Sequence, residues 1–157
     1  MRLRVLAVGT RMPGWVAAAC EEYRRRLRAP WRLTLTEVAP AARGAGGGAA
    51  ARARALEARA ILGLLGERDY VVALDERGSE WSTRELADWL AGLRGRGEPL
   101  VFIIGGADGI DAALLDRARL RWSLSRLTLP HALARVLLFE QLYRAASLLA
   151  GHPYHRA

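Results

Sequence analysis

The chain has 157 residues, of which 52% are hydrophobic and 25% charged, proportions that indicate one folded globular domain over residues 1–157. No apolar run is long enough to span a membrane, and the N-terminus has no secretion signal, so we expect a cytoplasmic protein without membrane contact. A lone cysteine excludes a disulfide framework or cysteine metal cluster, while the net charge of +8 favours a polyanionic partner such as nucleic acid.

Strand and helix patterns alternate through the first part of the chain. A buried strand is predicted over 3–8, a second over 31–38, and a mobile loop over the glycine- and alanine-rich stretch 40–48. A helix lies between the two strands, and another is predicted over about 50–65. The apolar line expected for the first helix is Trp15, Ala19, Tyr23 and Leu27. The line expected for the second is Leu56, Ala60, Ile61, Leu64 and Leu65.

The middle of the chain predicts the centre of the sheet. A third strand, 70–74, is followed by a turn over 75–79, and then Ser82 and Glu85 form a capping box that begins a helix. The five consecutive apolar residues 100–104 are typical of a strand that is covered on both faces in a parallel sheet. A glycine turn follows, and Asp111 is expected to cap a short helix over about 112–119.

The last part of the chain combines a strand, a polar-backbone loop and a long helix. Residues 120–124 alternate as a strand does, and Pro130 prevents the loop before it from continuing as helix. The helix predicted over about 132–150 is apolar on most sides. It is either a central core helix or a helix that packs on its own sheet with one face and on a second copy of the chain with another.

These alternating elements predict an α/β fold with a mainly parallel sheet and helices on both faces. Ligands of such sheets lie beyond the carboxyl ends of the strands, where three loops arrive: the one after Leu74, 105–109 and 124–129. Neither the dinucleotide fingerprint nor the ATP phosphate loop is present. We expect no metal site, because His152 and His155 lack further ligands nearby in the sequence.

Four segments carry a resemblance to a known family. They are VFIIGGADG at 101–109, SLSRLTLPHALARVLLFEQLYRA at 123–145, HPYHR at 152–156 and LRVLAVGTRMP at 3–13. Together they resemble the RlmH family of SPOUT-class methyltransferases, which methylate N3 of a pseudouridine in 23S ribosomal RNA. The resemblance extends from one end of the chain to the other.

The resemblance implies a trefoil knot in the C-terminal part of the fold, a homodimer, and S-adenosylmethionine as cofactor. It also implies 23S rRNA, in the large subunit or the assembled ribosome, as the partner. The cofactor positions that match the family's motifs lie in the three loops already named. They are Leu74, Gly105, Gly106, Leu124, Ser125, Arg126, Leu127, Thr128 and Leu129.

The tail supplies the candidate catalytic residues. Loss of the N3 proton needs a base or a stabilising cation, so His155 is proposed to accept the proton and Arg156 to stabilise the anion. Tyr154 can stack on the base. The alternative is a frayed chain end, since we expect residues 152–156 to be too short to form a packed element.

Arginines and one histidine are the candidate RNA contacts. His131 and Arg135 lie in the first turns of the long helix, and Arg24, Arg25, Arg26 and Arg28 form a basic cluster. The alternatives are a structural role for His131 and a merely solvated basic face for the cluster.

Two other functions compete with the methyltransferase. One is a non-catalytic RNA-binding module on the same fold, which would have no need of a Tyr-His-Arg terminus beside a cofactor loop. The other is a nucleotide-binding oxidoreductase, which the missing dinucleotide fingerprint disfavours. Titration with S-adenosylmethionine against NAD separates the three.

Overall fold

The computed structural model describes residues 1–155, with the backbone alone at His155. These residues form five strands, five α-helices and one short 3₁₀ helix. In chain order they are β1 Arg2–Val8, α1 Gly14–Arg26, β2 Arg32–Val38, α2 Ala49–Leu62, β3 Tyr70–Glu80, α3 Thr83–Leu93, β4 Leu100–Ile104, α4 Ala112–Arg117, β5 Leu120–Ser123, α5 His131–Leu149 and the 3₁₀ helix Pro153–His155. Within residues 1–155, no helix is long and apolar enough to cross a membrane.

The strands form one parallel sheet in the order β2-β1-β4-β3-β5. Strand β4 lies at its centre, and all five of its residues are buried. The predicted parallel sheet and its predicted central strand are therefore confirmed. The order also places the ends of β3 and β4 side by side, where a ligand site of such a sheet is expected.

Helices cover both faces of the sheet, as predicted. On β1, Leu3, Val5 and Ala7 face one core, which α1, α3 and α5 complete. Leu6 and Val8 face the other core, to which α2 and α4 contribute. The period of two along each strand thus separates two hydrophobic cores.

The apolar lines predicted for α1 and α2 are confirmed only in part. Leu27 and Ile61 are buried, and Tyr23 and Leu65 pack against the cores. Helix α1 buries Val16 and Cys20, while Trp15 is 57% exposed. Helix α2 buries Ala53, Ala58 and Ile61, and Leu56 is 57% exposed. The largest apolar residue indicated the wrong face, because smaller side chains allow the helix to pack closely on strands that already carry bulky ones.

The turn predicted over 75–79 is replaced by a continuation of β3 to Glu80. Both Leu74 and Ser79 pair with Trp122, so residues 75–78 lie outside the regular ladder with β5. Within this bulge, a Cβ on Gly78 would lie only 2.5–2.6 Å from backbone atoms of Arg121 and Trp122. Glycine is therefore what allows β3 to run against β5 here.

The capping box predicted at the start of α3 is confirmed. The Ser82 hydroxyl accepts a hydrogen bond from the Glu85 backbone N–H at 3.2 Å, and the Glu85 carboxylate accepts one from the Ser82 N–H at 2.7 Å. The bonds that the Glu85 carboxylate accepts from the Ser82 backbone N–H and from the Ser82 hydroxyl lower its pKa, the backbone bond most. The Asp111 cap is also confirmed, although α4 ends at Arg117, two residues before the predicted end.

Candidate functional site

A cavity of about 1110 Å³ lies beyond the carboxyl ends of β3 and β4. Leu74, Gly105, Gly106, Thr128 and Leu129 all line it, so the structure brings the three predicted loops together. A smaller cavity of about 130 Å³ adjoins it and shares Leu74, Thr128 and Leu129. The sheet geometry predicted this convergence, because parallel strands deliver their following loops to one edge.

The glycine loop is held by its own backbone. The Gly109 N–H donates to the Gly106 carbonyl at 3.1 Å, and Gly109 has a φ of +85°, which L side chains rarely adopt. A Cβ on Gly105 would lie 2.7 Å from the Ile110 side chain and 2.9 Å from the Gly109 carbonyl oxygen. A side chain at Gly105 would therefore first disrupt the loop.

The loop between β5 and α5 folds around two serine hydroxyls. The Ser123 hydroxyl donates to the Ser125 carbonyl at 2.9 Å, and the Ser125 hydroxyl accepts from the Leu127 N–H at 2.9 Å. Leu124, Ser125 and Leu127 line the smaller cavity. Arg126 lines neither cavity and instead forms an exposed ion pair with Glu80 at 3.1 Å.

Charged residues that the sequence did not single out line the larger cavity. The acidic ones are Asp75, Glu76, Asp108 and Asp111, and the basic ones are Arg54 and Arg77. Their position directly after the predicted strand 70–74 could have identified Asp75 and Glu76 as cavity residues. Nothing in the sequence signalled Arg54, which comes from α2 and donates to the Asp108 carbonyl at 3.4 Å.

The glycine- and alanine-rich loop 40–48 contacts the rim of this cavity. Arg43 of the loop forms an ion pair with Asp108 at 2.9 Å. The Ala41 N–H donates to Glu57 at 3.1 Å, and Arg52 donates to the Gly47 carbonyl at 3.2 Å. These contacts place the loop beside the cavity, and the loop's mobility stays a prediction.

The two predicted RNA contacts at the start of α5 have different environments. His131 lines the larger cavity. Arg135 is 1% exposed and donates to the carbonyl oxygens of Val8 at 3.1 Å and Gly9 at 2.6 Å, and to Glu37 at 2.7 Å. The prediction that Arg135 binds RNA is wrong, because its guanidinium is buried and holds α5 against the ends of β1 and β2.

The basic cluster of α1 is balanced within its own helix. Arg24 pairs with Glu21 at 2.6 Å, and Arg26 pairs with Glu22 at 2.6 Å. Arg25 lies 3.4 Å from Glu22. The hydrogen bond from Arg24 lowers the pKa of Glu21. The cluster therefore offers less net charge than its sequence suggests, and its RNA-binding role stays a prediction.

The tail is packed, contrary to the expectation from its length. The Tyr154 ring lies edge-on to Tyr143 at 4.6 Å, and the Arg144 guanidinium lies 4.9 Å from its centre. Tyr143 is twelve residues from His131, so this contact is about 18 Å along α5 from the cavity. The chain's own Tyr154 is thus not beside its own cavity. Arg156 and the side chain of His155 lie outside the described residues.

Burial, followed by the neighbouring Tyr23 hydroxyl, raises the pKa of Tyr154 to about 12. The phenol therefore stays protonated at neutral pH and is a poor proton acceptor. In the described part of the chain, no group of three or more His, Cys, Asp or Glu side chains is placed to hold a metal ion.

Comparison with known proteins finds that the sequence and fold of the chain are similar to those of methyltransferases. A family model described as "Predicted SPOUT methyltransferase" matches residues 1–155. The chain is 51% identical to a protein of Thiobacillus denitrificans named ribosomal RNA large subunit methyltransferase H, over 99% of each chain. It is 50% identical to a protein of Chromohalobacter salexigens with the same name, over 99% of this chain and 100% of the relative.

Solved structures share the fold at low sequence identity. A crystal structure of a probable methyltransferase from Bordetella pertussis has a TM-score of 0.59 and 17% identity, covering 92% of this chain and 94% of its own. A putative methylase family protein from Neisseria gonorrhoeae has a TM-score of 0.57 and 14% identity, over 90% and 81%.

Proposed function

Because the chain belongs to the SPOUT methyltransferase family, we propose that it methylates N3 of a pseudouridine in 23S ribosomal RNA, with S-adenosylmethionine as methyl donor. The names of its relatives, ribosomal RNA large subunit methyltransferase H, support the substrate. The observation that carries the proposal is the cavity where the three loops meet. In this proposal the cytoplasm is the site of action, since the substrate is ribosomal RNA.

The residues around the cavity fit this cofactor. The cavity volume of about 1110 Å³ accommodates a molecule of this size, and the glycine and serine loops present backbone groups at its wall. Asp75, Glu76 and Asp111 suit the positive ammonium and sulfonium groups, while Arg54 suits the carboxylate. When bound, the cofactor supplies an electrophilic methyl group. The loop residues that would hold it are Leu74, Gly105, Gly106, Leu124, Ser125, Leu127, Thr128 and Leu129.

The work left to the protein is to orient the base and remove its N3 proton. His155 is proposed as the proton acceptor, because the ordinary pKa of histidine lies near neutrality. Since Tyr154 lies about 18 Å along α5 from the cavity of its own chain, this role is proposed for the cavity of the second copy in the expected homodimer. The raised pKa of Tyr154 argues against that residue as the base. Arg156 is proposed to stabilise the deprotonated ring.

We expect the protein to be a homodimer through α5. This helix buries Leu138, Phe139 and Leu142 within its own chain, yet Leu133 remains 37% exposed and Trp15 on the adjacent α1 is 57% exposed. Exposed apolar side chains on packed neighbouring helices favour a second copy as the partner. Sedimentation at micromolar concentration should give twice the chain mass. A folded monomer there would contradict the prediction.

The trefoil knot also stays a prediction.

Replacement of Gly105 by leucine is expected to weaken S-adenosylmethionine binding about tenfold or more. The new side chain would meet Ile110 and the Gly109 carbonyl, and overpacking of this kind costs about 1–3 kcal/mol. Calorimetry measures the affinity. Gly92→Leu is the control, because nothing lies within 4 Å of a Cβ on that glycine of α3. Unchanged affinity in a folded Gly105→Leu protein would place the cofactor elsewhere.

Two measurements test the function as a whole. Calorimetric titration with S-adenosylmethionine and with NAD separates a methyltransferase from an oxidoreductase. Mass spectrometry of 23S rRNA after incubation with the protein and S-adenosylmethionine then detects the added methyl group. RNA binding without S-adenosylmethionine binding would support the non-catalytic RNA-binding module instead.

A further inference from the structure

A second cleft, of about 450 Å³, lies near the amino-terminal ends of the strands, opposite the proposed cofactor cavity. It lies between the last turns of α1 and α5, beside the start of β2. Strand β1 has seven residues, so its length places the two cavities about 20 Å apart. We call it the arginine cleft, after Arg26, Arg28 and Arg94, which line it together with Trp31 and Tyr143.

Among the residues that the structure describes, the lining of the arginine cleft contains three arginines and no acidic residue. Glu22 balances Arg26 at 2.6 Å. Within residues 1–155, no carboxylate lies within ion-pair distance of Arg28 or Arg94, and the Arg94 guanidinium lies 5.8 Å from the centre of the Trp31 ring. Two guanidinium charges therefore face a concave surface unbalanced, unlike those of Arg24 and Arg25.

The ends of the two helices do not cancel this charge. Helices α1 and α5 each contribute roughly half a negative charge at their carboxyl ends. The two guanidinium charges of Arg28 and Arg94 exceed that contribution. The site therefore keeps a net positive charge on a concave surface that also contains aromatic rings.

We propose that the arginine cleft binds the phosphodiester backbone of an RNA segment other than the methylated nucleotide. Guanidinium groups bind phosphate through paired N–H donors, and a guanidinium plane also stacks on bases. Basic grooves with aromatic side chains are typical of single-strand binding. The identification of the anion as RNA rests on the proposed function, whereas the anion site itself does not.

The test compares RNA binding by the wild type, the double variant Arg28→Ala/Arg94→Ala and a control that removes the same charge, Arg59→Ala/Arg84→Ala. Both control residues are exposed and line neither cavity. The probe is 23S rRNA, titrated at several salt concentrations. Loss of two phosphate contacts should reduce the slope of log K against log salt by about 1.4 and weaken binding at low salt about tenfold or more. Affinity for S-adenosylmethionine should not change.

Arg28→Glu is a second variant that leaves the Arg94–Trp31 contact in place, and it should weaken RNA binding at least as much as Arg28→Ala. Equal losses in the cleft variant and the control would mean that overall charge alone matters, and would overturn the proposal. No loss in folded cleft variants would also overturn it. If the wild type does not methylate RNA but the cleft variants still bind RNA more weakly than the control, the proposed function fails and the cleft stands.

Discussion

Removal of residues 155–157 is expected to reduce methyl transfer at least about 100-fold, the low end of what a positioned acid or base contributes. Affinity for S-adenosylmethionine should be unchanged, because the proposed cofactor loops lie at the other end of α5. The truncation stops after Tyr154, since that ring packs against Tyr143 and Arg144. Single-turnover methylation of 23S rRNA measures the rate, and calorimetry measures the affinity.

Single substitutions then separate the two proposed roles. If His155 accepts the proton, the defect of His155→Ala should shrink at high pH, where hydroxide can replace the base. The defect of Arg156→Ala should persist there, because a missing cation is not replaced. Tyr154→Phe is the matched control, since it keeps the packed ring and removes a hydroxyl whose pKa is about 12. A truncated protein with the normal rate would refute the catalytic role of the tail.

Arg135→Ala is expected to lower the free energy of unfolding by about 1–3 kcal/mol, the cost of leaving a buried hydrogen-bonding group without its partner. The change leaves the Val8 and Gly9 carbonyls and Glu37 without their guanidinium donor. Arg24→Ala is the control, because its i,i+3 pair with Glu21 is exposed and its loss should cost much less.

Urea denaturation at one protein concentration measures both variants. Equal stabilities would mean that the buried guanidinium contributes no more than a surface charge. The buried Nε of Arg135 has no hydrogen-bond partner among the described residues, so part of the cost of burying the charge is already present in the wild type.

The sequence predicted the features that depend on local pattern. Five apolar residues in a row identified β4, because a strand covered on both faces of a parallel sheet has no polar side to alternate with. The three loops of the ligand site were predicted from the parallel sheet alone, because ligands of such sheets lie beyond the carboxyl ends of the strands. The structure confirms both the central strand and the meeting of these loops.

Features that depend on distant contacts could not be predicted. Glu37 lies 98 positions from Arg135 in the chain, so the pattern of α5 did not indicate a buried pair. The continuation of β3 past Gly78 depends on the backbone of Arg121 and Trp122 in β5. Which face of α1 is buried depends on how closely the helix approaches the sheet, and the residues of the helix alone do not determine that distance.

The contact between loop 40–48 and Asp108 has a consequence for how the cavity fills. The Arg43 side chain is 59% exposed, and an exposed ion pair contributes at most about 1 kcal/mol. A contact of that strength breaks often at room temperature, so the loop should admit small molecules without limiting the association rate. Added salt weakens the pair further. The residence time of a bound cofactor should therefore shorten as ionic strength rises, even where the walls of the cavity are unchanged.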